Sequence, residues 1–328
     1  MPQAAFTWSP GFSTTDRAAF ASLNADLKRR VFVRAGTRVQ TWGLQSMTGP
    51  KTAWLPQASI SALVTARLNL RASYSRSAQL PPYSVMGQAP GNTALGLIKS
   101  NQVVAGGSLQ ISRLLSLNVE AYRKTYAGYP VSTDYPQLSL ATLAPVIDEP
   151  FLALPMTSAG AGISKGVEIS LKQNPIHHVF TRTNLSFSRA EFSGLDGIYR
   201  HGSNDFPIVL NVVAGVELGR YSITARETMT SGRPYTPALL DASFAQNRMI
   251  YDLTQINAMR GSLYSRVDIA VNRDVIVRGR TLRIHTGALN VLRRANFFAY
   301  EWPPRCDCGP SRQNSMGLHP DLNVSYTF

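Results

Sequence analysis

The chain has no apolar run approaching the roughly 18 to 20 residues that a membrane-spanning helix requires. Its only cysteines, among 328 residues, are Cys306 and Cys308, too few to staple a small fold. Charge is also sparse. Asp, Glu, Lys and Arg make up 16% of the chain, against about 25% in soluble domains. The start, Met1-Pro2-Gln3-Ala4-Ala5, has neither the basic n-region nor the apolar h-region of a secretory signal. Phosphate loops, dinucleotide fingerprints and metal motifs are missing too. Together these absences exclude a helical membrane protein and a disulfide scaffold, and they leave the common enzyme classes without a motif.

What is present is alternation. Near the C-terminus, Leu322, Val324, Tyr326 and Phe328 share one face of an extended segment, and Asn323, Ser325 and Thr327 share the other. Successive strand side chains point to opposite faces, so this segment has one oily and one wet side. The pattern recurs in Arg17–Asp26, Val31–Thr41, Gln57–Thr65, Arg67–Arg76, Asn101–Ser112 and Leu115–Tyr126. It continues in Ile163–Gln173, Val179–Ala190, Pro207–Leu218, Tyr221–Thr230, Leu263–Arg273 and Thr281–Leu292. Asn174-Pro175 reads as the turn between the seventh and eighth. Short and long connections alternate strictly. The long ones are Trp42–Pro56, Ser77–Ser100, Ala127–Gly162, Ser231–Ser262 and Arg293–Pro320, with a further gap between Ala190 and Pro207.

About thirteen strands of roughly 9 to 12 residues have the length of tilted bilayer-crossing strands. Backbone in lipid tolerates only helices or closed sheets, which makes an all-β, antiparallel transmembrane β-barrel the expected fold. Single-chain bacterial barrels use even strand numbers with short turns inside and long loops outside. An odd count therefore predicts the back portion of a larger barrel, with 1–17 as a loop or strand remnant and 18–328 as barrel. A fourteenth strand in Ala4–Phe12 would instead make it self-contained. The missing signal likewise points to a longer parent.

The balance of 33 Lys+Arg against 19 Asp+Glu gives +14. The basic residues are scattered singly, without the block or basic helix of a nucleic-acid binder. Anionic lipid headgroups, lipopolysaccharide among them, or an anionic solute are the expected counterparts; an acidic partner segment would serve as well. If the oily faces meet lipid, parity turns Arg34, Arg38, Arg71, Lys124, Lys172, Arg182, Arg226 and Arg283 to the lumen, with Glu120, Glu168, Glu217 and Asp268. A basic-leaning lumen favours anionic solutes. The same charges could equally pair across strands or hold an inserted domain.

Aromatics near strand ends suit a headgroup-level girdle, while the loop residues Tyr129, Tyr300 and Trp302 are candidate ligand contacts. Cys306-Asp307-Cys308 could form a disulfide and falls short of a zinc site. His177-His178, His201, His285 and His319 form no cluster by sequence, so neither metal nor cofactor is expected. Glu168, Asp268 and His285 are the nearest thing to hydrolase groups, and no spacing links them.

Several stretches resemble the C-terminal barrel of TonB-dependent outer-membrane receptors. They are Arg67–Arg76 followed by Gln79-Leu80-Pro81-Pro82, Ser164–Leu171, Leu210–Val213, Ser231–Thr236 and Leu289–Phe297, in that order, before the aromatic terminus. Arg293 stands where that family usually has Asn. The resemblance implies the last portion of a barrel of about 22 strands. It also implies import of a scarce siderophore, cobalamin or glycan with a plug domain and TonB as partners. The last strand, Val324, Tyr326 and Phe328, becomes the signal read by the barrel-assembly machinery. A passive porin-like barrel is the alternative, with an outer-membrane hydrolase behind it.

Overall fold

A computed structural model describes residues 13–44, 49–87, 89, 91–143, 154–303 and 309–326. Its framework is one antiparallel sheet. The strands β1 (Thr14–Leu27), β2 (Val31–Leu44), β3 (Lys51–Leu63), β4 (Leu68–Gln79), β5 (Ile98–Gln110), β6 (Leu115–Ser132), β7 (Met156–Ile176) and β8 (Val179–Ser193) pair in sequence order. A three-residue strand, β9 (Tyr199–His201), adds to the end of β8. The sheet then runs through β10 (Ile208–Leu218) and β11 (Tyr221–Thr230). Inside the next loop, β12 (Pro234–Tyr235) pairs with β13 (Met259–Arg260). The sheet resumes with β14 (Tyr264–Val277) and β15 (Arg280–Leu289), and the following loop holds the hairpin β16 (Phe297–Glu301) and β17 (Ser311–Asn314). It closes its order with β18 (His319–Tyr326), paired to β15.

Thirteen strands thus form the main path, as the alternation predicts, and the sheet is open, with β1 and β18 as edges. Phe328, Cys306, Cys308 and the Ala4–Phe12 segment lie outside the described residues.

The turn chemistry explains one end. Lys28 and Arg29, His177 and His178, and Arg278 and Gly279 each have positive φ at both positions. That is the mirror-image turn whose twist suits a two-residue hairpin. The turn expected at Asn174-Pro175 is in fact an irregularity inside the β7–β8 ladder, which resumes at Ile176↔Val179 around His177-His178. Proline cannot donate to a ladder and moves easily into a bulge. Pro56 is the opposite case: expected to lie outside a strand, it sits in β3 opposite Thr37. Strands β6 and β7 also run further than their alternation suggested, to Ser132 and from Met156, with register shifts beyond Ala127.

Register fixes the two faces. Arg34, Ser59 and Ser73 follow one another across β2–β4, and Arg71, Gly106, Glu120, Glu168 and Ser186 across β4–β8. On the opposite face large apolar side chains stand exposed from edge to edge, from Leu23 (74%) through Trp54, Val103 and Phe187 to Leu322 (71%). A folded soluble chain hides such a surface. The buried core lies elsewhere, among the long loops. Val85, Leu95, Leu138, Leu154, Met156 and Ile256 pack together there, around helix α1 (Tyr83–Met86) and a 3₁₀ turn at Asn92–Ala94. Helix α2 (Leu240–Gln246) belongs to the same end. No helix among the described residues is long and apolar enough to cross a membrane.

Candidate functional site

Two places gather polar chemistry. The first is a cavity of about 490 Å³ on the polar face, spanning β3–β7 and lined by Ser61, Arg71, Gln102, Glu120, Lys124 and Glu168 among others. Arg71 is its organiser. Its guanidinium lies 2.7 Å from the Glu120 carboxylate, donates at 2.8 Å to Asn118 Oδ1 and at 3.2 Å to Ser108 Oγ. Glu168 stands directly opposite Glu120, and the Lys124 ammonium lies 5.5 Å from the centre of the Tyr122 ring. Four predicted charges therefore meet here, with two cations and two carboxylates in balance.

The remaining members of the predicted set share this face but do different things. Arg34 and Arg38 are exposed on β2, and Arg38 Nε donates to Gln40 at 2.8 Å. Lys172 stands opposite Arg182, whose far-side neighbour Val213 lies opposite Arg226, so three cations lie close in register, and Arg226 has Asp268 directly opposite it on β14. Arg283 makes a two-pronged pair with Asp274 at 2.7 and 2.8 Å. Glu217 sits opposite Ser222 near a short turn. Asp268 is buried. It holds Arg266 at 2.9 Å and accepts the Asn290 N–H at 2.9 Å, anchoring the Leu289–Phe297 stretch. Glu168, on β7, lies four strands from Asp268 on β14, and His285 bonds instead to Asn272 and Asp321. The hydrolase grouping does not assemble. Among the described residues no cluster of His, Cys, Asp and Glu could hold a metal ion.

The second place is in the loops. Gly232 backs onto Gly261 so closely that any Cβ would meet the Gly261 carbonyl at 1.7 Å, and Gly261 in turn lies under the Phe297 ring. That contact delivers Arg233 between the rings of Phe206 and Phe298, at 5.9 and 5.1 Å from their centres. Tyr235 and Tyr300 meet edge-on at 5.3 Å beside it, around a small cavity of about 90 Å³. Burial pulls the Arg233 guanidinium below its ordinary pKa, because a half-desolvated cation loses hydration. Burial, then Tyr300, raises the Tyr235 phenol. No carboxylate pairs with Arg233 among the described residues.

Of the predicted loop contacts, Tyr300 borders this cavity. Tyr129 packs against Tyr126 and Phe192 at 5.7 and 4.9 Å. Trp302 is buried, with its indole N–H donating to Asn247 Oδ1 at 3.0 Å and Phe244 against its ring. Behind the aromatic cavity lies Asp205, whose side chain is fully buried. It pairs with Arg260, accepts the Ala190 N–H at 2.7 Å and lies 2.9 Å from His201 Nδ1. Neither Arg233 nor Asp205 stood out in the sequence. The Ser231–Thr236 stretch was the only signal near them.

The family model described as "TonB dependent receptor-like, beta-barrel" matches residues 1–291. The chain belongs to that family. Solved structures agree on the fold. The siderophore receptor PiuA from Acinetobacter baumannii is 13% identical with a TM-score of 0.63, over 95% of this chain and 43% of PiuA. The ferric-catecholate import receptor Fiu from E. coli K12 is 13% identical with a TM-score of 0.63, over 96% and 45%. The ferripyoverdine receptor of Pseudomonas aeruginosa is 8% identical with a TM-score of 0.67, over 95% and 38%. This chain therefore spans under half the length of these TonB-dependent receptors. No curated protein matches it. Barrels of this family are outer-membrane proteins, and its members among these neighbours are transport receptors rather than enzymes.

Proposed function

We propose that the chain is the outer-membrane barrel segment of a TonB-dependent importer for an anionic chelate of the ferric-siderophore type. One observation supports this most strongly: a thirteen-strand sheet with a greasy face, a wet face and a folded loop layer at one end only. In such barrels the greasy face meets acyl chains, the wet face lines the passage, and the long loops face outward. On this reading the polar-face charges Arg34, Arg38, Arg71, Lys124, Lys172, Arg182, Arg226 and Arg283, with Glu120, Glu168 and Asp268, belong to the passage wall. Those around the Arg71 cavity border the path or hold a plug.

Ligand capture is assigned to the loops. Arg233 is a half-buried cation between two rings without a described counter-charge, and Tyr235 and Tyr300 offer flat surfaces next to it. An anionic ligand with aromatic or chelate planes would meet the unpaired guanidinium by charge-assisted hydrogen bonds and the rings by stacking. The names of the neighbouring receptors favour iron chelates over cobalamin or glycans. TonB, a plug domain and the barrel-assembly machinery are the partners proposed, the last through Val324, Tyr326 and Phe328.

The test is binding of ferric citrate and of a ferric catecholate to the detergent-solubilised chain, read by quenching of intrinsic fluorescence. Arg233→Ala and Tyr235→Ala are expected to weaken whichever chelate binds by at least tenfold. Failure of both chelates to bind, or unchanged affinity in the variants, would contradict the loop assignment.

A further inference from the structure

Charge interrupts the greasy face in one concentrated place. Arg123 on β6 stands directly opposite Lys165 on β7, and Lys165 directly opposite Arg189 on β8. Opposed side chains on antiparallel strands have Cβ atoms about 4.5 to 5.5 Å apart, and like charges so placed repel. On the same face and nearer the loops lie Arg76 on β4, opposite Asn101, and Lys99 on β5, opposite Ala78. Five neighbouring strands thus each contribute one cation. The lone carboxylate on this part of the face, Glu191, pairs with Arg189 at 2.6 Å. Arg123 and Lys165 are exposed and have no carboxylate partner among the described residues. Other charges on this face of the main strands are dispersed: Arg17, Glu227, Arg273 and Arg280.

Height and surroundings say what such a row could hold. Toward the short turns the face becomes hydrocarbon at once, with Val167 beside Phe187, then Val119, Ile169 and Leu185 in one row. From Leu115 at the turn to Arg123 the strand climbs about 26 Å at ~3.3 Å per residue. At a tilt near 40° that is about 20 Å of height within an apolar band about 25 Å tall. Long basic side chains reach the last few ångströms to the headgroups by extending along the wall.

We propose that Arg123, Lys165 and Arg189, flanked by Arg76 and Lys99, form a site for a phosphorylated glycolipid of the outer leaflet, of the lipid A type. Its phosphate sits on the basic row, which removes the like-charge repulsion, and its acyl chains lie along the apolar rows beneath. A phosphomonoester carries close to two negative charges and accepts paired bonds from guanidinium groups. The proposal rests on the membrane reading above, since a water-facing row would have no acyl partner.

The test uses the full chain inserted into phosphatidylcholine vesicles containing one-tenth bisphosphorylated lipid A, re-extracted with mild detergent, and examined by native mass spectrometry for retained lipid. The parent chain is expected to retain lipid A, and the triple variant R123Q/K165Q/R189Q to lose at least tenfold. R34Q/R38Q/K172Q, which removes three charges from the other face, is expected to retain it, as is R123K/R189K. Dephosphorylated lipid A should be retained no better than phosphatidylcholine, and millimolar inorganic phosphate should not displace the lipid. Equal retention by parent and R123Q/K165Q/R189Q, or equal loss in the polar-face variant, would overturn the site while leaving the barrel standing. Displacement by inorganic phosphate would overturn its lipid character. A parent chain that fails to enter the vesicles would overturn both the site and the membrane reading beneath it.

Discussion

The two ends of this sheet are built by opposite rules. At the short-turn end the connections hold two to four residues, and each carries a basic or imidazole side chain, from Lys28 and Arg29 through Arg67, Arg113, His177 and Arg220 to Arg278. Three of these turns have positive φ at both central residues, and the first is also capped by the Arg29 N–H donating to Asp26 Oδ1 at 2.7 Å. At the loop end the chain builds a core, with Asn92 bridging Val85, Leu154 and Met156, and Asp205 gathering Arg260 and the Ala190 amide. The lesson is that a barrel wall draws its stability from ladders and its surroundings, whereas function requires loops that fold as a small protein does. Mutations should therefore act differently at the two ends.

The largest effect is expected from Asp205→Ala. It leaves Arg260 without its buried partner, and breaking such a pair typically costs about 3 to 5 kcal/mol. Hydrogen exchange should accelerate across 199–208 and 257–262 while the strands near the short turns keep their protection. A uniform acceleration would erase the distinction between the two ends. Next comes Ile169→Arg, in the middle of the greasy face, which should cost about 2 to 4 kcal/mol of folding stability in lipid. Ser170→Arg, one residue away on the wet face, should be close to neutral in the same urea titration in vesicles.

Smaller gains are available at the turns. Replacing His177-His178 by Asn-Gly puts residues that tolerate positive φ where the backbone demands it, and should raise stability by about 0.5 to 1 kcal/mol in that titration. The smallest effect concerns pH. Arg200 holds the Asp196 carboxyl below its ordinary value through a side-chain hydrogen bond. A lowered carboxylate pKa contributes stability that is complete above the unfolded value, about 3.9, and disappears as pH falls through the folded value. Protection of 194–200 should be level from pH 8 to 5 and decline only below about pH 4.

Much of the wall was legible because period-two alternation over ten residues is a strong signal and because a single parity choice assigns every neighbour. That is why Arg34, Glu120, Arg226 and Arg283 fall on one face. Strand ends were less legible. Pro56 looked like a terminator, yet the ladder passes through it, and β6 and β7 outrun their alternation once register shifts set in. The loop layer was opaque because its contacts are long-range. Arg260 reaches Asp205 from 55 residues away, and Asn257 reaches Thr142 from 115. Parity sets Asp268 on the polar face but reports direction and not burial, so its buried hold on Arg266 and the Asn290 amide is visible only in the fold. Arg233 escaped notice because its importance comes from Gly232 lying against Gly261, which no local pattern encodes.

The most direct measurement is a nitroxide scan of positions 167 to 172 in vesicle-inserted protein, with Cys306 and Cys308 replaced by serine. Oxygen dissolved in the bilayer should relax labels at 167, 169 and 171, while a water-soluble nickel complex should relax those at 168, 170 and 172. A strict two-residue alternation with that phase is the predicted result. Equal accessibility at all six, or the reverse phase, would contradict the assignment of lipid to one face and water to the other.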